Sequence, residues 1–255
     1  MMLSLNNDFL GYTSIEHNVT FTGSDHEEAY TRNLKSKSPD WYYRTNTITY
    51  VRNKNGHRCN DIENIDLNNY ILFAGCSHTE GIGLELEKTY PYLVSESLGY
   101  DYYNLGIGGT GIDVLTYNLI TWFSTVKQKP KLVVLQWPYN VRFISKNPKD
   151  IEHMYRTYGP WSTESGVDKF LITGNDVGFF DTRRTMMYNL IKNVVTCPII
   201  EIAPSNSIFN NESVKIQIVD FARDQVHSGN LSNLKYASII IDIIKDKYKH
   251  ELNNN

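Results

Sequence analysis

The chain has 255 residues, a length that suits one large α/β domain or two small ones. Its net charge of −3 and its pI of about 6.2 give no electrostatic footprint for nucleic acid or an anionic membrane. No apolar run approaches the ~18 residues of a membrane span, and the first residues lack the basic and apolar regions of a signal peptide. Three widely spaced cysteines, Cys59, Cys76 and Cys197, predict reduced thiols rather than disulfides or a metal site.

The chain is rich in Asn, Lys, Ile and Tyr, as is common in proteins from AT-rich genomes, phage genomes included. The missing signal-peptide pattern and the expected reduced thiols predict a cytoplasmic or virion-associated protein, and the sequence does not predict its oligomeric state. Residues 1–66 lack strong periodicity and are predicted to form an N-terminal extension packed on a main domain at 67–252. Within the extension, an alternating stretch before Asn55-Gly56 predicts a β-hairpin, because this dipeptide accepts the positive φ of a tight turn.

The main domain alternates predicted strands with predicted helices. The strands cover residues 70–75, 101–106, 131–137 and 197–203, and the helices about 88–98, 112–126, 182–195 and 231–249. Residues 141–180 are predicted to be a long irregular insertion, and 205–230 mostly loop with at most a short helix. This alternation predicts βαβ units and a parallel sheet covered on both faces. Ligands of such sheets bind at the carboxyl ends of the strands.

Ser77 follows the first predicted strand, at its junction with a helix. Its N–H is expected near the helix N-terminus, where partial positive charge suits a nucleophile that must support an oxyanion. A serine here is also an ordinary turn residue or N-cap, so Ser77 is a candidate nucleophile and no more. His78 is a candidate for contacting substrate rather than a base, because a residue adjacent to the nucleophile usually points elsewhere. Glu80 is expected to be a first-turn acid favoured by the helix dipole.

A glycine-rich loop follows the second predicted strand. Gly106, Gly108 and Gly111 form a GxGxxG, which alone suggests a dinucleotide site. The next strand, however, ends in Gln136-Trp137, with no carboxylate for the ribose hydroxyls. Such a loop also exposes backbone N–H groups toward a developing negative charge, or simply allows a tight turn with close helix packing.

Two later segments add polar candidates. Asn140, after the third strand, is placed to donate to an oxyanion, although it could equally be an ordinary turn residue. Arg142 is placed to bind a substrate carboxylate or sugar hydroxyls, and the alternative is a structural ion pair. Asp224 and His227 lie three residues apart near the end of the chain. A carboxylate that accepts from imidazole Nδ1 leaves Nε2 free as a base toward a serine hydroxyl. Alone, this motif is as well explained by a surface Asp/His pair.

The order of these candidates resembles the SGNH (GDSL-type) hydrolase family over about residues 69–245. The first block of that family, Gly-Asp-Ser-x-(Ser/Thr), is matched by residues 75–79, and its oxyanion glycine by Gly109. The last block, Asp-x-x-His, is matched fully by Asp224 and His227. The third block, Gly-x-Asn-Asp, is matched only loosely around Asn140.

Two departures accompany the resemblance. Cys76 stands where the first block has a mainly structural Asp, as in a subgroup with Gly-Cys-Ser. The third block has lost its Gly and its second Asp, which leaves open whether Asn140 or Arg142 is the residue that matters after the third strand.

The resemblance implies a three-layer α/β/α flavodoxin-like sandwich with a central parallel sheet of about five strands. It also implies a serine esterase that hydrolyses a small-molecule or glycan ester, O-acetyl carbohydrate among them, with no metal or organic cofactor. In this scheme Ser77 is the nucleophile, His227 the base and Asp224 its charge partner. The oxyanion hole comprises the N–H groups of Ser77 and Gly109 and the amide of Asn140.

Two other function classes stay open. The first is a catalytically inactive binding or structural module of the same fold, such as a phage particle component, which the eroded third block and the N-terminal extension favour. The second is a nucleotide- or dinucleotide-binding enzyme that uses the GxGxxG. The catalytic interpretation requires Ser77 and His227 to face one cavity, close to hydrogen-bond reach.

Overall fold

A computed structural model describes residues 2–13, 19–146, 154–164, 166–204 and 214–248. In chain order its strands are β1 (Met2–Asn6), β2 (Phe9–Tyr12), β3 (Tyr70–Ala74), β4 (Asp101–Asn104), β5 (Leu132–Gln136), β6 (Phe143–Lys146), β7 (Met154–Tyr158), β8 (Ile199–Pro204) and β9 (Val214–Ile216). Its helices are α1 (Glu27–Ser36), α2 (Ser77–Glu80), α3 (Tyr90–Leu98), α4 (Ile112–Thr125), α5 (Val167–Asp176), α6 (Phe179–Val194) and α7 (Asn230–Lys247). Parts of the predicted insertion, of the 205–230 loop and of the domain's C-terminal end lie outside the described residues.

The central sheet has five strands in the order β4-β3-β5-β8-β9, and every neighbouring pair is parallel. When these five strands are renumbered in chain order, the sheet has the 2-1-3-4-5 order of flavodoxin-like folds. All residues of β3 and β5 are buried, as their continuous apolar runs predict for strands that are covered on both faces. The predicted fold class is therefore confirmed.

Helices cover both faces of this sheet and produce three layers. On one face α4 and α6 contribute Leu119, Trp122 and Ile191 to the core. On the other face α3 and α7 contribute Val94 and Ile240. The described helices all fall short of the length and apolar character that crossing a bilayer requires.

A second, antiparallel sheet joins the N-terminal extension to the insertion. Its order is β2-β1-β7-β6, so the hairpin β1–β2 pairs with β7 from the far half of the chain. The hairpin turns at Asn7 and Asp8, whose φ angles of 48° and 73° suit a tight two-residue turn. The prediction that 141–180 is irregular is thus wrong, because β6, β7 and α5 lie within it. These strands are short and partly exposed, so they lack the apolar run that identified β3 and β5.

The hairpin predicted at Asn55-Gly56 is only half correct. The turn is present: Gly56 has a φ of 78° and donates to the Asn53 carbonyl at 2.8 Å. Its flanks, which lie within the described residues, form no strands: a single backbone hydrogen bond, from the Asn53 N–H to the His57 carbonyl at 2.8 Å, joins them, and their side chains bind the main domain. The buried Arg58 guanidinium, for example, donates to the Gly81 and Leu84 carbonyls, each at 2.7 Å. Such a segment satisfies its polar groups without a β-ladder.

The remaining predicted elements agree with the structure within a few residues. The structure contains two further elements in regions where the sequence indicated none. The helix predicted from about 88 starts at Tyr90, after a 3₁₀ turn at Leu86–Lys88. The helix predicted from 182 starts earlier, at Phe179, and so extends back into the predicted insertion. Helix α1 lies in the extension, and β9 lies in the stretch predicted as loop.

Buried His57 makes the fold sensitive to acid. Its Nε2–H donates to the Leu10 carbonyl at 3.2 Å and its Nδ1 accepts from the Tyr103 hydroxyl at 3.0 Å. Burial lowers the pKa of His57 to about 4. Below an unfolded value of about 6.5, the unfolded chain binds a proton that the folded chain does not. The free energy of unfolding should therefore fall by about 2 kcal/mol from this group between pH 7 and pH 4.5.

Urea unfolding at the two pH values checks this expectation. In His57→Gln the loss between pH 7 and pH 4.5 should be smaller than in the wild type by that amount. His26→Gln is the comparison: it removes an exposed imidazole that caps α1 by accepting from the Ala29 N–H at 3.3 Å, so it should lower stability at both pH values and leave most of the acid-induced loss in place. An equal pH dependence in His57→Gln and the wild type would contradict the assignment.

Candidate active site

Ser77 is the first residue of α2, immediately beyond the carboxyl end of β3. Gln136, the last residue of β5, fixes this turn: its Oε1 accepts from the Cys76 N–H at 3.3 Å and from Thr79 Oγ1 at 2.9 Å. Cys76 Sγ contacts the same oxygen at 3.4 Å. The side chain of Ser77 is 3% exposed. The sequence placed Ser77 here but gave no sign that Gln136 holds the junction.

Asp224 and His227 meet in the loop that precedes α7. The carboxylate Oδ2 of Asp224 lies 2.6 Å from His227 Nδ1, while its Oδ1 accepts from the Val226 and His227 N–H groups at 3.0 and 3.1 Å. Ser24, from the N-terminal extension, donates to the same Oδ2 at 2.7 Å. These contacts fix the ring so that Nδ1 faces the carboxylate and Nε2 is the remaining nitrogen.

The carboxylate of Asp224 is held in its ionised form. Burial raises its pKa, but the hydrogen bond and charge of His227 and the hydrogen bond from Ser24 outweigh burial and lower the pKa to about 2. Asp224 therefore carries its negative charge throughout the neutral range.

Ser77 and His227 line one pocket of about 630 Å³, together with Gly109 and Arg142. The N-terminal extension supplies another wall of it, comprising Tyr12, Thr22, Gly23, Ser24 and His26. Among the described residues Ser77 Oγ donates no hydrogen bond to His227, and its recorded contact is with Cys76 Sγ at 4.0 Å. Apo sites often hold such pairs apart, and the contact tightens when substrate binds.

The glycine loop after β4 packs against α2. Gly106 leaves no room for a Cβ, which would lie 2.7 Å from the Glu80 backbone nitrogen. The Gly108 N–H donates to the Glu80 carboxylate at 2.6 Å, so a carboxylate occupies the position that a dinucleotide phosphate would need. Gly109 follows with a φ of 67°. In the described part of the chain, neither the Gly109 nor the Ser77 N–H is bonded to a backbone acceptor.

Glu80 is the centre of a buried network that the sequence did not reveal. Its side chain is fully buried and pairs with Arg52 at 3.2 Å. It also accepts from the Tyr12 hydroxyl at 2.7 Å, besides the Gly108 N–H. Burial, the charge of Glu80 and its hydrogen bond raise the pKa of Tyr12 far above its ordinary value, so Tyr12 stays neutral and donates. The network ties helix α2 to the glycine loop and to the N-terminal extension.

Two predicted site residues lie away from the pocket wall. The Asn140 side-chain amide donates to Asp181 on α6 at 3.1 Å, so it does not reach the oxyanion side. His78 bonds through Nδ1 to Ser228 Oγ at 2.8 Å and packs edge-on against His227, with 5.0 Å between ring centroids. Burial, then the neighbouring His227 and Arg142 charges, lower the pKa of His78 to about 3. His78 is thus a neutral neighbour of His227 and is not among the described residues that line the pocket.

Arg142, by contrast, lines the pocket. Its guanidinium lies 5.1 Å from the ring centroids of both Tyr139 and Trp161. Its Nε and Nη1 are buried without a hydrogen-bond partner, and among the described residues no carboxylate pairs with it. The structural ion pair that was the alternative role for Arg142 is not formed there.

No protein-family model matches the sequence, and no curated protein matches it. Among solved structures, similarity extends to the acetyl xylan esterase Est2A from the rumen bacterium Butyrivibrio proteoclasticus, at 14% identity and a TM-score of 0.40 over 71% of this chain and 64% of that one. A Corynascus thermopiles (Myceliophthora fergusii) carbohydrate esterase family 2 enzyme with its carbohydrate-binding domain aligns at 13% identity and a TM-score of 0.45, covering 78% and 70%. A lipolytic G-D-S-L family member from Veillonella parvula aligns at 12% identity and 0.37, covering 69% and 98%. Such remote likenesses carry no argument for activity or substrate.

Proposed function

We propose that the chain is a serine esterase with Ser77 as nucleophile, His227 as base and Asp224 as the partner that orients the base. The main support is the Asp224–His227 hydrogen bond of 2.6 Å in a pocket that Ser77 also lines. An imidazole held at Nδ1 by an ionised carboxylate offers Nε2 as a proton acceptor, and the shared pocket gives that acceptor a serine within the same cavity.

The proposed reaction has two halves. Ser77 Oγ bonds to the acyl carbon while its proton passes to His227 Nε2; that proton then leaves with the alcohol as the ester bond breaks. In the second half, water gives a proton to His227 and adds to the acyl-enzyme. Collapse releases the carboxylic acid and returns the proton to Ser77 Oγ. The N–H groups of Ser77 and Gly109 are the proposed donors to the oxyanion of each tetrahedral intermediate.

Asn140 is no longer part of this proposal, since its amide is bonded to Asp181. The oxyanion hole is instead proposed with two backbone donors. In other enzymes, removing one such donor lowers kcat by about 10²- to 10³-fold, so two donors suffice for measurable catalysis.

Covalent labelling tests the nucleophile directly. A fluorophosphonate should phosphonylate Ser77 with loss of fluoride, seen by mass spectrometry of the peptide that carries it, and p-nitrophenyl acetate should be hydrolysed. Ser77→Ala should lose both, whereas Ser124→Ala, at an exposed serine on α4, should keep both. A folded wild-type protein inert to both reagents would favour a non-catalytic binding module instead.

A further inference from the structure

Arg142 presents an uncompensated positive charge to the pocket. Among the described residues its guanidinium forms no ion pair and no hydrogen bond, and its Nε and Nη1 are buried. Arg142 as a whole is half-buried, so its charge is partly withdrawn from water, and an anionic group that arrives with the substrate would replace the lost solvation. The charge also influences its surroundings, since Arg142 is one of the causes that lower the pKa of His78.

The position of this charge is fixed by its surroundings. The Tyr139 and Trp161 rings lie on the guanidinium. The backbone is held as well: the Arg142 carbonyl accepts from Arg183 and packs against Gly111, where a Cβ would collide with it. A guanidinium held in this way loses little conformational entropy when it binds a ligand.

Thr157 gives an independent indication of a ligand in the same pocket. It is 2% exposed, it lines the pocket from β7, and its Oγ1 has no hydrogen-bond partner in the described residues. Buried hydroxyls in proteins are nearly always hydrogen-bonded. A threonine hydroxyl and a guanidinium can both donate, so together they suit an acceptor that bears negative charge.

We propose that Arg142 and Thr157 bind a carboxylate, so that the ester substrate carries an anionic group on its acyl part or its alcohol part. This inference rests on the proposed esterase function and names its substrate class. A carboxylate fits because its two oxygens match the planar fork of guanidinium N–H groups. Ser77 lines the same pocket, so one substrate molecule can carry both the charged group and the ester that reacts.

Matched ester pairs test the proposal on each side of the ester bond. For the acyl side, p-nitrophenyl hemisuccinate is compared with p-nitrophenyl butyrate. For the alcohol side, para-acetoxybenzoate is compared with its methyl ester. The wild type should favour the charged member of one pair by about 10- to 100-fold in kcat/KM, as expected for charged hydrogen bonds. Arg142→Gln should bring that ratio close to one, Thr157→Val should lower it several-fold, and Arg32→Gln on the exposed face of α1 should leave it unchanged.

A binding experiment separates this proposal from the proposed function. Calorimetry on Ser77→Ala should show binding of para-acetoxybenzoate or monomethyl succinate, and the added Arg142→Gln change should abolish it. Binding without hydrolysis by the wild type would overturn the esterase function and retain the carboxylate site. If the wild type hydrolyses the esters without preferring the charged member of either pair, and Ser77→Ala binds neither carboxylate, the carboxylate site is overturned and the esterase function is retained.

Discussion

His227→Ala is expected to lower kcat for ester hydrolysis by about 10⁴- to 10⁶-fold, because the Ser77 hydroxyl is a weak nucleophile without a base. Asp224→Asn should lower kcat by about 10⁴-fold, for a different reason. An Asn at this position can present an N–H to Nδ1, which favours the tautomer with its proton on Nε2. Stopped assays with p-nitrophenyl acetate would measure both losses against the wild type.

Asp220 offers a matched control four residues upstream. Its carboxylate accepts from the N–H groups of Leu231 and Ser232 at 3.0 and 2.7 Å and so anchors the first turn of α7, away from the reaction. Asp220→Asn should therefore lower the melting temperature while kcat stays within a few-fold of the wild type. Equal kcat values for Asp224→Asn and Asp220→Asn would contradict the role of Asp224.

Ser24 extends this argument to the N-terminal extension. It donates to Asp224 Oδ2 at 2.7 Å, and that hydrogen bond is one of the causes that lower the pKa of Asp224. Ser24 thus helps to hold the Asp224 carboxylate in its ionised form. The extension therefore contributes to the site as well as to the fold, which no feature of residues 1–66 indicated.

The sequence predicted those parts of the fold that depend on local pattern. The buried runs of β3 and β5 are continuous and apolar, and their helices end at recognisable residues such as Gly99, so four of the five strands of the central sheet were predicted and only β9 was not. The second sheet could not be predicted in the same way. Its β1 strand pairs with β7, Met2 opposite Arg156, and the short strands show no periodicity that identifies a partner so distant in sequence.

The same contrast holds within the candidate site. Asp224 and His227 are three residues apart, so their motif is visible, and the structure brings them together. Asn140 was chosen by its place after a strand, but whether its amide turns to the pocket or to Asp181 depends on where α6 packs. Glu80 was expected to be a first-turn acid; its partners Tyr12 and Arg52 are 68 and 28 residues away, beyond the reach of local pattern.

Glu80→Gln is expected to lower the free energy of unfolding by about 3–5 kcal/mol, because it leaves the buried Arg52 guanidinium without its counter-charge. The side chains of Arg52 and Glu80 are 5% and 0% exposed, so water cannot replace the lost partner. Glu63→Gln is the control: its ion pair with Lys54 is exposed, and such pairs contribute less than about 1 kcal/mol. Urea unfolding at neutral pH would measure both.

A double variant identifies the cause of that loss. Arg52→Met combined with Glu80→Gln removes both charges, so the double variant should recover part of the stability that Glu80→Gln loses. If the losses in free energy of unfolding of the two single variants simply add in the double variant, an unpaired buried charge is not the cause. The single variant has a second expected effect, because the Glu80 carboxylate holds the Gly108 N–H at 2.6 Å and thereby positions Gly109 beside it. With the loop loosened, kcat should fall by at least about 10-fold at a temperature where the variant remains folded, with little change in KM. An unchanged kcat in the folded variant would remove Glu80 from the support of the oxyanion hole and leave it a purely structural residue.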